Sequence, residues 1–120
     1  MAELCRVRLK YASGPHGYGR AAFEGALCTV TTDHILIDGA EPPWNAIPLE
    51  DIRQCEPSIE GKWNADHTQK IATGYSIEFD TFRSHFLFYL NSEQDMTILA
   101  STISKVVLSR HPERNLKRYS

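Results

Sequence analysis

Residues 24–38, EGALCTVTTDHILID, contain the pattern that decides the fold. Apolar and β-branched residues on either side of Thr32 predict two strands joined by a tight turn. The first strand is expected over residues 22–32, with Gly25 at a place where a bulge or a sharp bend is tolerated. The second is expected over residues 34–38. This stretch therefore predicts an antiparallel hairpin.

The segment before the hairpin alternates apolar and basic side chains. Residues 4–11, LCRVRLKY, have the period of two that is typical of a half-buried strand, with one apolar face and one basic face. Residues 13–19, SGPHGYG, contain three glycines and a proline, which predicts a loop. The side chains expected to point inward from the first strand are those of Cys5, Val7, Leu9 and Tyr11.

The middle of the chain predicts further strands and one long polar connection. In residues 44–52, WNAIPLEDI, the side chains of Ile47, Leu49 and Ile52 are expected to point inward, and an extended run follows over residues 53–59. Residues 60–74 are polar and lack an apolar period, which predicts a functional or mobile loop. A second hairpin is then predicted from residues 75–81 and 85–90.

The last part of the chain predicts one helix and a tail. Ser92 and Asp95 have the capping-box spacing, so a helix is expected from about residue 93 to about residue 109. Pro112 marks its end, and residues 114–120 are interpreted as a frayed basic tail. We therefore expect one domain over residues 1–111 and a basic tail over residues 112–120. The apolar stripe expected to face the sheet consists of Met96, Leu99, Ala100, Ile103, Val106 and Val107.

Composition excludes several classes of protein. The chain has 120 residues, 42% of them hydrophobic and 23% charged, and it contains no apolar run long enough to span a bilayer and no secretory signal pattern. A formal charge of −2 argues against wholesale nucleic-acid binding. The histidines and the three cysteines are scattered singly, so reduced thiols, no metal site and no cofactor are expected. The expected location is the cytoplasm.

About seven strands in hairpin order, closed by one amphipathic helix, make an α+β, mainly β arrangement. Residues 24–38 and 44–52 together resemble the pleckstrin-homology-like (PH-like) superfamily, especially its GRAM and bacterial PH branches. Those branches show a strand that ends in threonine, a turn, a short strand and an I-P-L-x-D-I corner, which residues 47–52 match. The resemblance implies an antiparallel β-barrel or sandwich capped by the C-terminal helix, and it covers most of residues 3–110.

The resemblance implies two kinds of ligand. Members of the superfamily bind phosphoinositides through a lysine on the first strand and an R-x-R pair on the second. Lys10 and Arg20 match that pattern in part, but Ala22 stands where the second arginine would be. Other members are protein-docking modules. The candidate residues for an anionic headgroup are Arg6, Arg8, Lys10 and Arg20, and the alternative is that they form a solvated strand face.

Two tryptophans are the candidates for contact with a protein partner. Trp44 and Trp63 lie in predicted loops, and Trp63 is next to Lys62. If its ring is exposed, a tryptophan there can anchor a protein partner; if the ring packs back onto the domain, it covers the edge of the core.

No catalytic constellation stands out, so an enzyme is not expected. The lead hypothesis is a protein-docking PH-like module that uses an exposed sheet edge, residues 60–74, or both. The alternative is binding to anionic lipid at a membrane surface, with help from Arg114, Lys117 and Arg118. A third hypothesis is a homodimer formed through the last sheet edge.

Overall fold

A computed structural model of the chain describes residues 2–14, 18–22, 24–40, 45–82 and 84–119, with the backbone alone over residues 13–14 and 18–22. Trp44 lies outside the described residues. The elements are β1 (Glu3–Gly14), β2 (Tyr18–Ala22), β3 (Leu27–Thr31), β4 (His34–Ile37), β5 (Ala46–Pro48), a short 3-10 helix (Leu49–Asp51), β6 (Ile52–Trp63), β7 (Lys70–Thr81), β8 (His85–Leu90), α1 (Glu93–Arg110) and β9 (Asn115–Leu116).

These strands form one open sheet. Its path is β5-β4-β3-β1-β8-β7-β6-β9, and β2 pairs with β1 beside this path. The pairs are antiparallel except for the parallel contact between β6 and β9. Helix α1 packs on the inner side of the bent sheet, mainly against β6, β1 and β7. The mainly β fold with one C-terminal helix, expected from the sequence, is therefore confirmed.

Strand β1 joins the two halves of the sheet. Its first part pairs with β3, from Glu3 to Arg8, and its second part pairs with β8, from Leu9 to Ser13. The register with β8 shifts between Leu9 and Tyr11, so Lys10 is the extra residue of a β-bulge. The bulge reverses the alternation of side chains beyond it.

Because of this bulge, the prediction that Tyr11 points into the core is wrong. Ala12 is buried in its place, and Tyr11 lies on the outer face, where its ring centroid is 4.3 Å from that of Tyr89 on β8.

The first predicted hairpin is confirmed with a correction at its start. β3 and β4 pair antiparallel through Cys28–Ile37 and Val30–Ile35. The predicted strand over residues 22–32 is interrupted, because Gly25 adopts a positive φ of +72° in a turn before β3. Part of the predicted loop over residues 13–19 is also strand, since β2 pairs with the end of β1. Glycine in a hairpin end lowers strand preference without preventing backbone pairing.

The predicted loop over residues 60–74 is wrong for most of its length. β6 extends to Trp63 and β7 begins at Lys70, so only residues 64–69 connect the two strands. β8 ends at Leu90, opposite Tyr75, and the earlier part of β7 has no β8 partner. Residues 58–74 therefore form an extension, here named the arm, which is two-stranded beyond the Ile59–Tyr75 pair.

The core contains the predicted inward side chains. Ile47, Leu49 and Ile52 are buried, as are Met96, Leu99, Ala100, Ile103 and Val107 on α1, whereas Val106 is half-buried. The Phe79 ring stacks on Phe86 at 5.0 Å and meets Phe88 edge-on at 4.8 Å. Ser92 caps α1 by accepting a hydrogen bond from the backbone N–H of Asp95 at 3.1 Å, which confirms the predicted helix start. Over the described residues, no helix combines the length and the apolar character needed to cross a bilayer.

The prediction of a frayed tail over residues 114–120 is wrong for its described part. Leu116 pairs with Cys55 in the parallel β6–β9 contact and is buried. Arg114 donates hydrogen bonds from Nη1 to the carbonyl oxygens of Glu50 at 2.6 Å and Ile52 at 2.8 Å. These contacts bind the segment to the start of β6.

We predict that Leu116→Ala lowers the free energy of unfolding by about 2–3 kcal/mol, because Leu116 is only 7% exposed and its removal leaves a cavity. Lys117→Ala, at the neighbouring exposed position, should change it by less than about 0.5 kcal/mol. Urea unfolding followed by circular dichroism measures both. Equal midpoints for wild type and Leu116→Ala would show that the segment does not contribute to the core.

Candidate functional site

The basic residues of β1 are exposed on one strand, and two of them already have partners within the chain. Arg6 donates from Nε to Glu3 Oε1 at 3.0 Å and forms an ion pair with the same carboxylate. Arg8 donates from Nη1 to the carbonyl oxygen of Gly25 at 2.7 Å. Lys10 is exposed at the bulge. Arg20 lies on β2, where only the backbone is described.

The contact of Arg8 has a structural effect. Gly25 N–H donates to the carbonyl oxygen of Lys10 at 3.3 Å, and Leu9 N–H donates to that of Ala26 at 2.8 Å. The Arg8 guanidinium adds a third link between β1 and the turn before β3. The structure thus places Arg6, Arg8 and Lys10 on one strand, and Arg6 and Arg8 each have a contact within the chain.

The cations near the C-terminus also contact the protein itself. Arg118 donates from Nη2 to the carbonyl oxygen of Pro112 at 2.7 Å, and Lys117 Nζ lies 5.2 Å from the centroid of the Tyr119 ring. The guanidinium groups of Arg53 and Arg114 lie 5.1 and 5.5 Å from the centroid of the Phe82 ring. Cations over aromatic rings stabilise such a packed surface. Of these residues, Arg114 joins the last segment to the sheet, whereas the contacts of Lys117 and Arg118 lie within the segment.

The arm presents the most unusual surface of the described residues. Three large apolar side chains are exposed on it, those of Ile59 (44%), Trp63 (58%) and Ile71 (55%). Strand pairing continues beneath them from Ile59–Tyr75 to Trp63–Lys70, with a bulge beside Glu60. Side chains directly opposite in an antiparallel pair share a face. Ile59 and Trp63 therefore lie on one face of the arm, and Ile71 lies on the other face with Lys62.

The end of the arm is closed by hydrogen bonds from one side chain. Asn64 Oδ1 accepts from the backbone N–H of Thr68 at 2.9 Å and of Gln69 at 3.4 Å, and its Nδ2 donates to Thr68 Oγ1 at 3.1 Å. His67 adopts a positive φ of 54° in this turn. Asparagine is well suited to such a turn because its short amide can replace missing backbone partners. The arm is therefore an ordered hairpin.

One edge of β6 is open along the arm. β7 covers the other edge throughout, whereas β9 pairs only with Gln54 and Cys55. Pro57, which has no N–H to donate, follows this contact. Within the part of the chain that the structure describes, residues 58–63 have no strand partner on that side, and we name them the open β6 edge.

Sequence reasoning identified Trp63 and Lys62 in this region and proposed docking through an exposed sheet edge, but it missed Ile59 and Ile71 and did not locate the edge on β6. The sequence did contain a weak signal for the strand. Ile59, Gly61 and Trp63 continue the period of two that begins in the buried part of β6. Polar residues on both faces concealed it, since an arm beyond the core has no buried face.

Two histidines, His85 and His111, form pairs with acidic side chains. His85 contacts Asp80 and Glu78 across the β7–β8 hairpin, and His111 contacts Glu50. Among the residues that the structure describes, no group of three or more His, Cys, Asp or Glu side chains has an arrangement that could hold a metal ion.

The three cysteines are free thiols, and burial controls their chemistry. Burial raises the pKa of Cys28 and raises that of Cys55 to about 12. Burial also raises the pKa of the half-buried Cys5.

Comparisons with known proteins identify the fold alone. No protein-family model matches the chain, and no curated protein matches it. Among solved structures, it is similar to a chain of Vav1 bound to an allosteric inhibitor, with a TM-score of 0.59 and 8% sequence identity. The similarity covers 92% of this chain and 28% of the Vav1 chain, so the chain spans little more than a quarter of that protein's length. Vav1 contains a PH domain, and the fold is therefore PH-like; nothing in the comparison is specific to the GRAM branch.

We predict that only Cys5 reacts with a thiol reagent at pH 8 in the folded protein. With a pKa of about 12, only about one Cys55 thiol in ten thousand is ionised at that pH, and the thiolate is the reactive form. Reactivity should increase as the pH rises. Ellman's reagent should detect one thiol in native protein and three in guanidinium chloride. Rapid native reaction of three thiols would contradict the burial of Cys28 and Cys55.

We also predict that Trp63→Ala lowers the free energy of unfolding by less than about 1 kcal/mol, because it removes only exposed cross-strand contacts. Phe79→Ala, in the core, should cost about 3–5 kcal/mol. The two costs are compared by urea unfolding. Because the chain also contains Trp44, the exposure of Trp63 is measured as the iodide-quenchable tryptophan emission that the wild type has and Trp63→Ala lacks. A cost for Trp63→Ala close to that of Phe79→Ala would show that its ring covers the core.

Proposed function

We propose that this chain is a non-catalytic PH-like binding module that docks a protein partner through the arm. The observation that carries the proposal is the exposure of Trp63 on an ordered hairpin. Tryptophan is the residue type most enriched at the energetic centre of protein interfaces, because its large ring is desolvated in a partner's pocket. Ile59 extends the apolar contact along the same face.

Order in the arm favours binding. The β6–β7 ladder and the Asn64 hydrogen bonds hold the backbone in place before a partner arrives. A preformed surface loses less conformational entropy on association than a mobile loop would. The arm therefore combines an apolar anchor with a low cost of ordering. Recognition alone is its proposed mechanism, and the free thiols suit the proposed location in the reducing cytoplasm.

Binding of an anionic lipid headgroup is the alternative. Phosphates require several converging cationic donors. Arg6 and Arg8 are engaged by Glu3 and by the Gly25 carbonyl oxygen, so a headgroup would have to compete with contacts that the fold already makes. Lys10 is exposed at the bulge and is therefore the residue to mutate in a test of lipid binding. In the C-terminal segment, Arg118 contacts Pro112 and Lys117 contacts Tyr119. This arrangement favours protein docking over lipid binding.

We predict that a protein retained from a native lysate by the immobilised chain is lost with Trp63→Ala. Loss of a central tryptophan contact lowers affinity by about thirtyfold or more. Phe82→Ala is the matched control, because Phe82 is equally exposed at 59% but lies outside the arm. The expected result is capture by the wild type and Phe82→Ala alone. Equal capture by all three proteins would contradict docking through the arm.

Co-sedimentation with vesicles that contain anionic lipid and phosphoinositides tests the alternative. Under the docking proposal, the wild type should not sediment with these vesicles at physiological salt. Binding that falls steeply with salt and disappears in Arg8→Glu and Lys10→Glu, but persists in Trp63→Ala, would replace the docking proposal with lipid recognition.

A further inference from the structure

Along residues 58–63, the backbone N–H and C=O groups on the open β6 edge have no strand partner among the described residues. A strand with one unpaired side is a template for another strand, because its N–H and C=O groups on that side require partners. Proteins often block such edges with proline or a covering segment. Here Pro57 and β9 protect the part of β6 that lies over the core, and the arm beyond them is left open.

The sequence of this edge is complementary to itself. Residues 59–63 read IEGKW, with a glutamate and a lysine on either side of Gly61. If a second copy of β6 runs antiparallel and is centred on Gly61, Glu60 lies opposite Lys62 of that copy, and Ile59 lies opposite its Trp63. Cross-strand pairs of opposite charge and of apolar side chains are the stabilising pairs of antiparallel sheets.

Two-fold symmetry leaves few alternatives to this register. Side chains directly opposite in an antiparallel pair share a face, and neighbouring residues of one strand point to opposite faces. The two-fold axis of a symmetric strand pair must therefore pass through one residue and cannot pass between two residues. A centre on Glu60 would place two glutamates opposite each other, and a centre on Lys62 would place two lysines opposite each other. Like charges at that position are destabilising. Near the middle of the edge, the centre on Gly61 alone joins opposite charges.

The side chains involved are available for such contacts. Among the described residues, neither Glu60 nor Lys62 makes a side-chain hydrogen bond or ion pair. Ile59 and Trp63 are exposed on the opposite face, next to Tyr75 and Lys70 of the same copy. A Cβ added to Gly61 would lie 2.9 Å from Cε of Lys70, so glycine lets the Lys70 stem cross the strand at the centre of symmetry.

We propose that a second copy of this chain docks on the open β6 edge, antiparallel about Gly61, to form a symmetric dimer. The proposal rests on the proposed function, since it assigns the partner of the arm. Two ion pairs between Glu60 and Lys62 lie on one face of the joined strands, and two Ile59–Trp63 contacts lie on the other. The contact is short, so the dimer is reversible and belongs to the class of small interfaces.

Reversal of the charges provides a specific test by sedimentation velocity from about 10 µM to about 1 mM, the range of a small interface. We expect the wild type to dimerise with rising concentration. Glu60→Lys and Lys62→Glu alone each create two like-charge pairs and should raise the dissociation constant by at least about tenfold. An equimolar mixture of the two variants should form a heterodimer, because each lysine then faces a glutamate.

Matched controls carry the same charge changes elsewhere. Asp66→Lys lies in the turn of the arm and Lys105→Glu lies on α1, and both should dimerise like the wild type. Circular dichroism verifies that each variant is folded. A wild type that stays monomeric, single variants that dimerise normally, or a mixture that does not associate would each overturn the symmetric register.

The same experiments separate this dimer from the docking function. A monomeric wild type whose capture of another protein is still lost in Trp63→Ala would overturn the dimer and leave docking through the arm in place. The opposite outcome is also informative. If the wild type dimerises and the charge variants behave as expected, while the wild type and Trp63→Ala capture another protein equally, the second copy is the occupant of the edge. Docking of a different protein through the arm would then be contradicted.

Discussion

The structure depends on one strand that belongs to both halves of the sheet. β1 pairs with β3 before Leu9 and with β8 after it, and Leu9 itself is fully buried at the change. A strand cannot serve two differently oriented partners without a local change of twist, which the bulge at Lys10 supplies. The positive φ of Gly25 lets the neighbouring turn follow that bend. Without this joint, α1 would have no concave surface to cover.

This constraint also decides what the basic residues of β1 do. Arg8 spans from the strand to the Gly25 turn, so one cation of the predicted headgroup site is part of the joint that bends the sheet. Arg6 is held by Glu3 on the same strand. The charges that resemble a ligand site in the sequence are thus divided between structural contacts and solvent. Arg6 and Arg8 therefore act within the PH-like fold itself, through their contacts with Glu3 and Gly25.

The arm follows from a difference in strand length. β6 and β7 have 12 residues each and β8 has 6, so the β6–β7 ladder continues where the third strand and the core have ended. Backbone hydrogen bonds maintain a strand pair even where neither face is buried, although such a pair gains little from the hydrophobic effect. This explains why the arm can carry Trp63 and Ile71 in solvent. It also explains why an open edge survives there, since the covering segment β9 reaches only the beginning of β6.

The local pattern of residues was sufficient for the elements that have a buried face or a capping group. The β3–β4 hairpin, the inward side chains of Ile47 and Ile52, and the helix that begins after Ser92 were all predicted, because burial and capping impose a period or a spacing on the sequence. Trp63 and Lys62 were identified as surface candidates for a different reason, because polar residues surround the tryptophan in a predicted loop. Their position in a strand was not predicted, since the polar residues around them follow no period.

Sequence alone therefore determined the mainly β class, the capped helix and most of the core. Tertiary structure decided the outward position of Tyr11, the attachment of Leu116 to β6, the contacts that occupy Arg8 and Arg114, and the open edge of the arm. Each of these features depends on which strands are neighbours in the sheet and on the register between them. Strands from distant segments pair through backbone N–H and C=O groups, which nearly every residue carries. Such groups leave no signature in the order of side chains.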